Sequence, residues 1–444
     1  MTKIKYGVVS LGCDKNRIDS EVMINEIKKE GIITNDPKEA DVIIVNTCGF
    51  IEDSKKESID TILEMSNYKN NNCKVLVVTG CLSQRYGEEL QELLPEVDVM
   101  LGVNDYDKLS DAIKKSIEKG EKSLYCNYSN TVINEGGRVL TTQKHYAYLR
   151  IAEGCDNFCT YCAIPKIRGK YRSRKIEDII EEAKFLSQNG VKEIIIVAQD
   201  TTRYGLDIYG EKTLPSLLKQ LEEVDGIEWI RLLYCYPEDI TEELIEEFAR
   251  NKKLCKYVDV PIQHISDSVL KRMGRKGNKQ LVTKVLRDIK KRVPEMSIRT
   301  SLIVGFPGEM EEDFKELKDF VEEIKFQNLG VFKYSQEEGT PAATMEDQVL
   351  EEIKETRREE LMKMQRDIVK SINADKVNKV YKVVVDNFNG EHYIGRNYEM
   401  LPEIDGAIYF KCDKILNIGE MVYIKILETL EYDLIGVVCD ESCK

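Results

Sequence analysis

From Lys5 to Tyr334 short apolar runs alternate with amphipathic helical stretches, and no other feature narrows the fold so far. A strand, a helix and a second strand in succession form a parallel pair with the helix on one face, which places the chain in the α/β class. The first hundred residues offer strands over 5–11, 41–47, 74–80 and 97–101, with helices near 19–29, 52–65 and 84–94, and so predict an open parallel α/β domain. Residues 1–16 read as a short strand entering a loop. Between 143 and 341 the pattern resumes with six strands, at 146–152, 193–198, 228–233, 256–260, 297–304 and 328–334. Helices at 176–188, 214–224, 242–249, 279–293 and 311–324 lie between them. Six such units predict an incomplete (β/α)6 barrel whose chemistry sits at the carboxyl-terminal mouth of the strands. A charged helical stretch, 346–372, leads to five short strands at 381–388, 393–397, 407–411, 421–428 and 434–439, which suit a small OB-like β-barrel.

Cysteine placement gives this frame its chemistry. Thirteen Cys in 444 residues, an odd number with no secretory leader, point to metal or redox work and away from a disulfide framework. Cys155, Cys159 and Cys162 are spaced CxxxCxxC just after the first barrel strand. Three thiolates on a [4Fe-4S] cluster leave one iron open to a small molecule. A structural zinc site is the plain alternative, but it requires four protein ligands and the next Cys is distant, at Cys235. Cys13, Cys48 and Cys81 follow the runs VVSLG, VIIVNT and VLVVTG. All three therefore fall on the sheet edge where open α/β folds bind ligands, and they form a second three-Cys site. A single Cys there would read as an inert buried thiol; three at equivalent loops do not. Cys73, Cys126, Cys235, Cys255, Cys412, Cys439 and Cys443 lack such a pattern and are expected to be packing residues.

With 42% hydrophobic and 32% charged residues the composition is that of an ordinary soluble protein. No membrane-spanning run is visible, so a cytoplasmic protein is expected. The net charge of -14 argues against a broad nucleic-acid footprint. From Asp375 onward thirteen Asp and Glu face eight Lys and Arg, a net of -5. Such a module repels phosphate and attracts a basic protein.

CxxxCxxC with Tyr161 before the last Cys resembles the radical S-adenosylmethionine (SAM) superfamily, and the three parts together resemble its methylthiotransferase family over essentially the whole chain. The resemblance implies an amino-terminal domain, 1–125, holding an auxiliary [4Fe-4S] cluster on Cys13, Cys48 and Cys81. It implies a radical SAM core, 140–370, whose [4Fe-4S] cluster on Cys155, Cys159 and Cys162 binds SAM, and a substrate-binding TRAM domain, 373–444. The segments LGCDKNRIDSE, NTCGFIEDSKKESID, CAIPKIRGKYRSR and DVPIQHISD are similar to the branch that modifies an aspartate of the twelfth small-subunit ribosomal protein. The tRNA-modifying branch tends to carry Met at Lys15, Arg at Ile51 and Ser at His264. The implied reaction places a methylthio group on the aspartate β-carbon, whose unactivated C–H bond calls for a radical cofactor. An external electron donor and a sulfur source are implied too. SAM contacts are expected from Tyr161, from Arg172 and Arg174 in the basic run 166–174, and from Gly305. Ser301, Ile303, Gly305 and Gly308 match the superfamily's GxIxGxxE pattern in part, with Glu309 one place late. No catalytic residue is assigned beyond the cluster ligands, and His264 is left between a structural and a catalytic role. Two alternatives stand beside this reading: a tRNA adenosine methylthiotransferase of the same fold, and a non-enzymatic iron-sulfur carrier. Because all six Cys lie outside the TRAM segment, its removal is expected to spare SAM cleavage.

Overall fold

A computed structural model describes residues 3–439, so Cys443 lies outside the described residues. The amino-terminal sheet consists of β1 (Ile4–Ser10), β2 (Gly31–Thr34), β3 (Val42–Thr47), β4 (Val75–Gly80), β5 (Val99–Leu101) and β6 (Ser123–Tyr125), all parallel, in the order β2-β1-β3-β4-β5-β6. Central strands β3 and β4 are buried at every residue, which is why they read as unbroken apolar runs. Helices α1 (Asp14–Ile27), α2 (Glu52–Ser66), α3 (Cys81–Leu93) and α4 (Leu109–Lys119) accompany the sheet, and separate apolar cores lie on its two faces.

The second sheet has β7 (Tyr146–Arg150), β10 (Glu193–Val197), β11 (Trp229–Leu232), β12 (Leu254–Asp259), β13 (Ser297–Val304) and β14 (Asn328–Lys333) side by side in chain order, all parallel. β7 and β14 are the two edges and do not pair, so the barrel is open. A two-stranded ribbon, β8 (Ala152–Glu153) with β9 (Arg172–Ser173), flanks the cysteine loop, and the short helix α5 (Ile164–Arg168) lies inside it. The 24-residue helix Glu351–Ala374 leads into a closed barrel of β15 (Val380–Phe388), β16 (Tyr393–Arg396), β17 (Ile408–Lys411), β18 (Met421–Thr429) and β19 (Leu434–Cys439), in the order β15-β16-β17-β19-β18.

Three-layer α/β, open (β/α)6 and small β-barrel thus appear as expected, with differences at the margins. β2 and β6 are edge strands, too short and too half-buried to carry an apolar signal. α1 begins at Asp14, where a loop was expected through residue 16, because Cys13 already takes the extended N-cap conformation. α3 begins at Cys81 rather than at 84. Gly80 turns the chain straight from strand to helix at φ +100°, and a Cβ there would collide with Asn46 Oδ1.

One larger difference concerns the last module. The inner face of the open barrel is packed by residues of both neighbours: Ile18 of α1 and Val384 and Leu401 of the carboxyl-terminal barrel join Tyr146, Tyr148, Trp229 and Tyr257 in one core. Removing that barrel would strip this core of part of its cover, a packing role that the position of the six Cys outside the TRAM segment does not reveal.

Candidate metal centres at the barrel mouth

The amino-terminal thiols meet because β1, β3 and β4 are in register. Ser10 pairs with Asn46 and Thr47 with Gly80, so the chain leaves three adjacent strands at one level. A Cβ on Gly12 would sit 2.7 Å from Cys48 Cβ, and one on Gly49 would sit 2.8 Å from Leu82 Cα and 3.1 Å from the Cys81 carbonyl carbon. Asn16 ties the loops together: its Nδ2 donates to the carbonyls of Leu11 (3.1 Å) and Thr47 (2.9 Å), and the Cys81 thiol donates to its Oδ1 at 3.5 Å. Cys13 is exposed, Cys48 half-buried and Cys81 buried. Burial pushes the Cys81 thiol up to about 12; Arg168 pulls it down, and the Cys13 and Cys48 thiols add to the rise.

The second triad follows β8. Cys155 and Cys159 are buried and Cys162 half-buried. Phe158 bends the loop through the left-handed region at φ +49°. Thr160 N donates to the Met273 carbonyl and Ala342 N to the Thr160 carbonyl, both at 2.9 Å, so the loop is clamped on two sides. Burial pushes Cys155 up to about 12 and raises Cys162 as well, with Cys159 adding to both. Metal loading has to expel these protons. Among the described residues no three His, Cys, Asp or Glu side chains close on one point as a single ion requires. Each locus instead offers three soft thiols spread around a loop cluster, and this donor set fits an iron-sulfur cluster, which spreads its Cys over several irons.

The expected SAM contacts are placed unevenly. Tyr161 stands edge-on to Phe306, 6.3 Å between centroids, in an apolar cluster with Val269, Met273, Tyr334 and Ala342. Gly305, at φ +70°, follows the end of β13 and backs onto Lys354, whose Cγ a Cβ there would strike. Arg172 donates to the carbonyls of Val132 (2.7 Å), Arg168 (3.0 Å) and Lys170 (2.6 Å). Arg174 donates to the Arg150 carbonyl (2.7 Å) and pairs with Glu182 (2.6 Å) and Glu135 (3.0 Å). Both guanidiniums are therefore engaged within the protein. His264 is fully buried beneath the 305–309 loop: Ser266 N donates to its Nδ1 (3.0 Å), its Nε2 lies 4.0 Å from Glu309, and burial pushes it down to about 3.

Sequence reasoning places Gln199 and Asp200 at the barrel mouth but passes over most of the other residues that join the two triads. The amino-terminal sheet edge lies on the barrel mouth, where Tyr234, just past β11, donates to Asp14 (3.1 Å) and carries the Lys15 ammonium 3.1 Å above its ring centroid. Arg150, Glu153, Gln199 and Arg168 of the core interlock with Asn16 and Asp19 of α1. Asp200, at the end of β10, accepts from Asn157 of the cysteine loop (2.8 Å), and burial pushes its carboxyl up to about 6. The signal for several of these was present, since Asn16, Asp19 and Arg168 all lie inside the quoted cysteine-bearing segments.

Comparison with known proteins covers all three parts of the chain. Residues 5–102 match the family described as uncharacterized protein family UPF0004, 149–321 the radical SAM superfamily and 377–439 the TRAM domain. The ribosomal protein uS12 methylthiotransferase RimO of Clostridium novyi (strain NT) is 61% identical over 442 residues, covering 100% of both chains, and that of Clostridium acetobutylicum is 58% identical over 445 residues with the same coverage. The chain belongs to the RimO family. It is thus a radical SAM methylthiotransferase, a class that works with SAM and a [4Fe-4S] cluster. Among solved structures, the radical SAM methyltransferase TsrM from Kitasatospora setae aligns with a TM-score of 0.56 at 14% identity, covering 77% of each chain, a likeness of fold alone. No helix among the described residues is long and apolar enough to cross a membrane.

Proposed function

We propose that this methylthiotransferase adds a methylthio group to the β-carbon of an aspartate in ribosomal protein uS12, with Cys155, Cys159 and Cys162 holding the SAM-binding [4Fe-4S] cluster and Cys13, Cys48 and Cys81 holding an auxiliary one. Two three-thiol loci at facing strand ends, joined by one largely buried polar seam, are the observation that carries this reading. When bound, the clusters and SAM supply the one-electron chemistry that opens an unactivated C–H bond and the sulfur that replaces its hydrogen.

The chain's own residues supply enclosure and alignment. Lys15 and Asp14 close over Tyr234, and Asn16 and Asp19 close over Arg168 and Arg150, so that the amino-terminal sheet edge is held in place on the barrel mouth. The clamps on Thr160 fix the cysteine loop against the segment at Met273 and the turn at Ala342. Tyr161 and Gly305 remain the candidate SAM contacts; Arg172 and Arg174 could take that role only by giving up the carbonyls and carboxylates they now hold. The relatives' name supports uS12 as substrate, and the net charge of -5 from Asp375 onward agrees with a basic protein partner.

The deciding experiment uses anaerobically reconstituted full-length protein with SAM, a strong one-electron reductant, and either a uS12 peptide containing the aspartate or bulk tRNA. Mass spectrometry should find the methylthio product on the peptide. Product on tRNA with none on the peptide would overturn the substrate, and intact SAM throughout would favour a carrier.

A further inference from the structure

We propose that Arg168 is a positioning residue for the auxiliary centre, a guanidinium carried by the SAM-cluster loop that fixes Cys81 and supplies its countercharge. The inference rests on the assignment of Cys13, Cys48 and Cys81 to that centre.

Three observations carry it. Arg168 ends α5, only six residues after Cys162, and the same short helix packs Ala163 and Ile167 against Cys81 and Val103. The segment that leaves one triad therefore ends on a ligand of the other. Secondly, the Arg168 guanidinium is 2% exposed and its Nη2 donates in three directions on the amino-terminal domain: to Asn16 Oδ1 (2.7 Å), to Asp19 Oδ2 (3.0 Å) and to Cys81 Sγ (3.5 Å). Its Nη1 donates to Glu153 Oε2 (3.1 Å) on its own side of the seam. Planar donors in a fixed fork are what a lysine ammonium cannot reproduce at several acceptors at once.

The third observation is the charge balance. Arg150 pairs with the same two carboxylates, Asp19 at 2.6 Å and Glu153 at 2.9 Å. These two guanidiniums balance the two carboxylates and Arg172 also bears on Glu153, so the seam has positive charge to spare for a thiolate at Cys81, and Arg168 is the cation adjoining it. Groups that hydrogen-bond to a metal ligand orient it and tune the metal, and their loss typically lowers metal affinity about 10- to 100-fold. A cation beside a cluster also favours the reduced form, which carries one more electron.

The test isolates the auxiliary centre. In full-length protein with Cys155, Cys159 and Cys162 replaced by Ala, anaerobic reconstitution followed by iron analysis and potentiometric EPR reads one cluster only. Arg168→Gln in this background should weaken cluster retention about 10- to 100-fold and move the reduction potential to more negative values. Arg168→Lys, which keeps the charge but not the fork, should restore most of the potential and only part of the retention. Because Arg168→Gln leaves Asp19 with one partner fewer, the balanced Arg168→Gln/Asp19→Asn protein is measured beside it, and thermal melts report folding. A potential and iron content unmoved in every variant would overturn the proposal. Equal iron loss in the Gln and Lys variants, accompanied by lowered melting temperatures, would reduce Arg168 to a structural role and overturn it too. If the parent with Arg168 intact binds no cluster, the assignment of Cys13, Cys48 and Cys81 fails, and the inference falls with it.

Discussion

Among the buried ion clusters that fasten the central sheet to its neighbours, two lie at opposite ends of its strands. At the carboxyl ends, Arg150, Glu153 and Arg168 grip Asp19 of the amino-terminal domain. At the other end, Glu193 and Arg231 grip Arg396 of the carboxyl-terminal barrel, which pairs in turn with Asp386. The chemistry is the same and the environment is not. The far cluster is closed off by tyrosines and backbone, with Arg231 donating to the Tyr398 carbonyl (2.7 Å), Tyr146 to Glu403 (2.9 Å) and Tyr257 to Asp405 (2.8 Å). The mouth cluster spends one of its donors on a cysteine thiol. Buried ion pairs are weak evidence for stability by themselves, because desolvation offsets most of their attraction. What distinguishes these two is how a thiol enters them: Cys255 lies near Arg231 and Arg396 of the far cluster, but among the described residues only the mouth cluster hydrogen-bonds a thiol, that of Cys81.

The comparison breaks most visibly at the thiols. Replacing Cys155, Cys159 and Cys162 with Ala should abolish SAM cleavage and methylthiolation together, while replacing Cys13, Cys48 and Cys81 should abolish only methylthiolation. Each triple variant should lose about half of the iron of the parent if each locus holds one cluster. Methylthio product from the second variant would remove sulfur delivery from the amino-terminal site.

Breaking the far cluster should cost stability rather than chemistry. Glu193→Ala leaves Arg231 and Arg396 facing each other in a buried site, and loss of one partner of such a pair costs about 3–5 kcal/mol. Chemical denaturation should show it as an earlier transition, with SAM cleavage per folded molecule unchanged. Deleting residues after Asp375 should be harsher still, giving a protein that exposes Trp229 and Tyr257 and aggregates. A soluble, SAM-cleaving truncation would contradict this account of the barrel interior.

The same residue gives the far cluster a pH dependence. Burial alone would push Glu193 up, but Arg396 and Arg231 hold it below the ordinary value of 4.5. With the folded value depressed, the unfolded chain binds the proton first, so this contribution to stability is present above 4.5 and declines as pH falls through the folded value. Melting temperature should drop with acid in this range, and less steeply in Glu193→Gln. Equal slopes would show that other carboxylates set the acid limit.

Smallest of all should be the effect of surface charge on the last barrel. Exposed Asp413 and Glu428 lie outside both clusters, and replacing either with Lys should slow association with uS12 by an amount worth about 0.2–1 kcal/mol, visible in stopped-flow at low salt and lost as salt rises. Faster association with uS12 would put the docking surface elsewhere.

Local sequence was enough wherever burial imposes a repeating pattern. β3 and β4 are buried on both faces and announce themselves as VIIVNT and VLVVTG; the five helices outside the open barrel are legible from their apolar stripes. Even the convergence of Cys13, Cys48 and Cys81 is deducible, because parallel strands put their carboxyl ends on one edge. β2 and β6 escaped notice because a half-buried edge strand of three or four residues leaves no period to count.

The order of the main strands and helices, the sheet type and the two sets of thiols are legible in the chain, since each follows from periodicity or spacing within a short stretch. What surrounds them comes from contacts between distant parts of the chain. Arg168 meets Asp19 across 149 positions and Arg396 meets Glu193 across 203, and nothing local to any of these residues names its partner. The same holds for Arg172 and Arg174, which a linear reading places beside the SAM site and the folded chain turns onto carbonyls and carboxylates of its own. A charged side chain buried away from water must find its opposite wherever the packing of whole domains has left one, and that is a property of the fold and not of the segment.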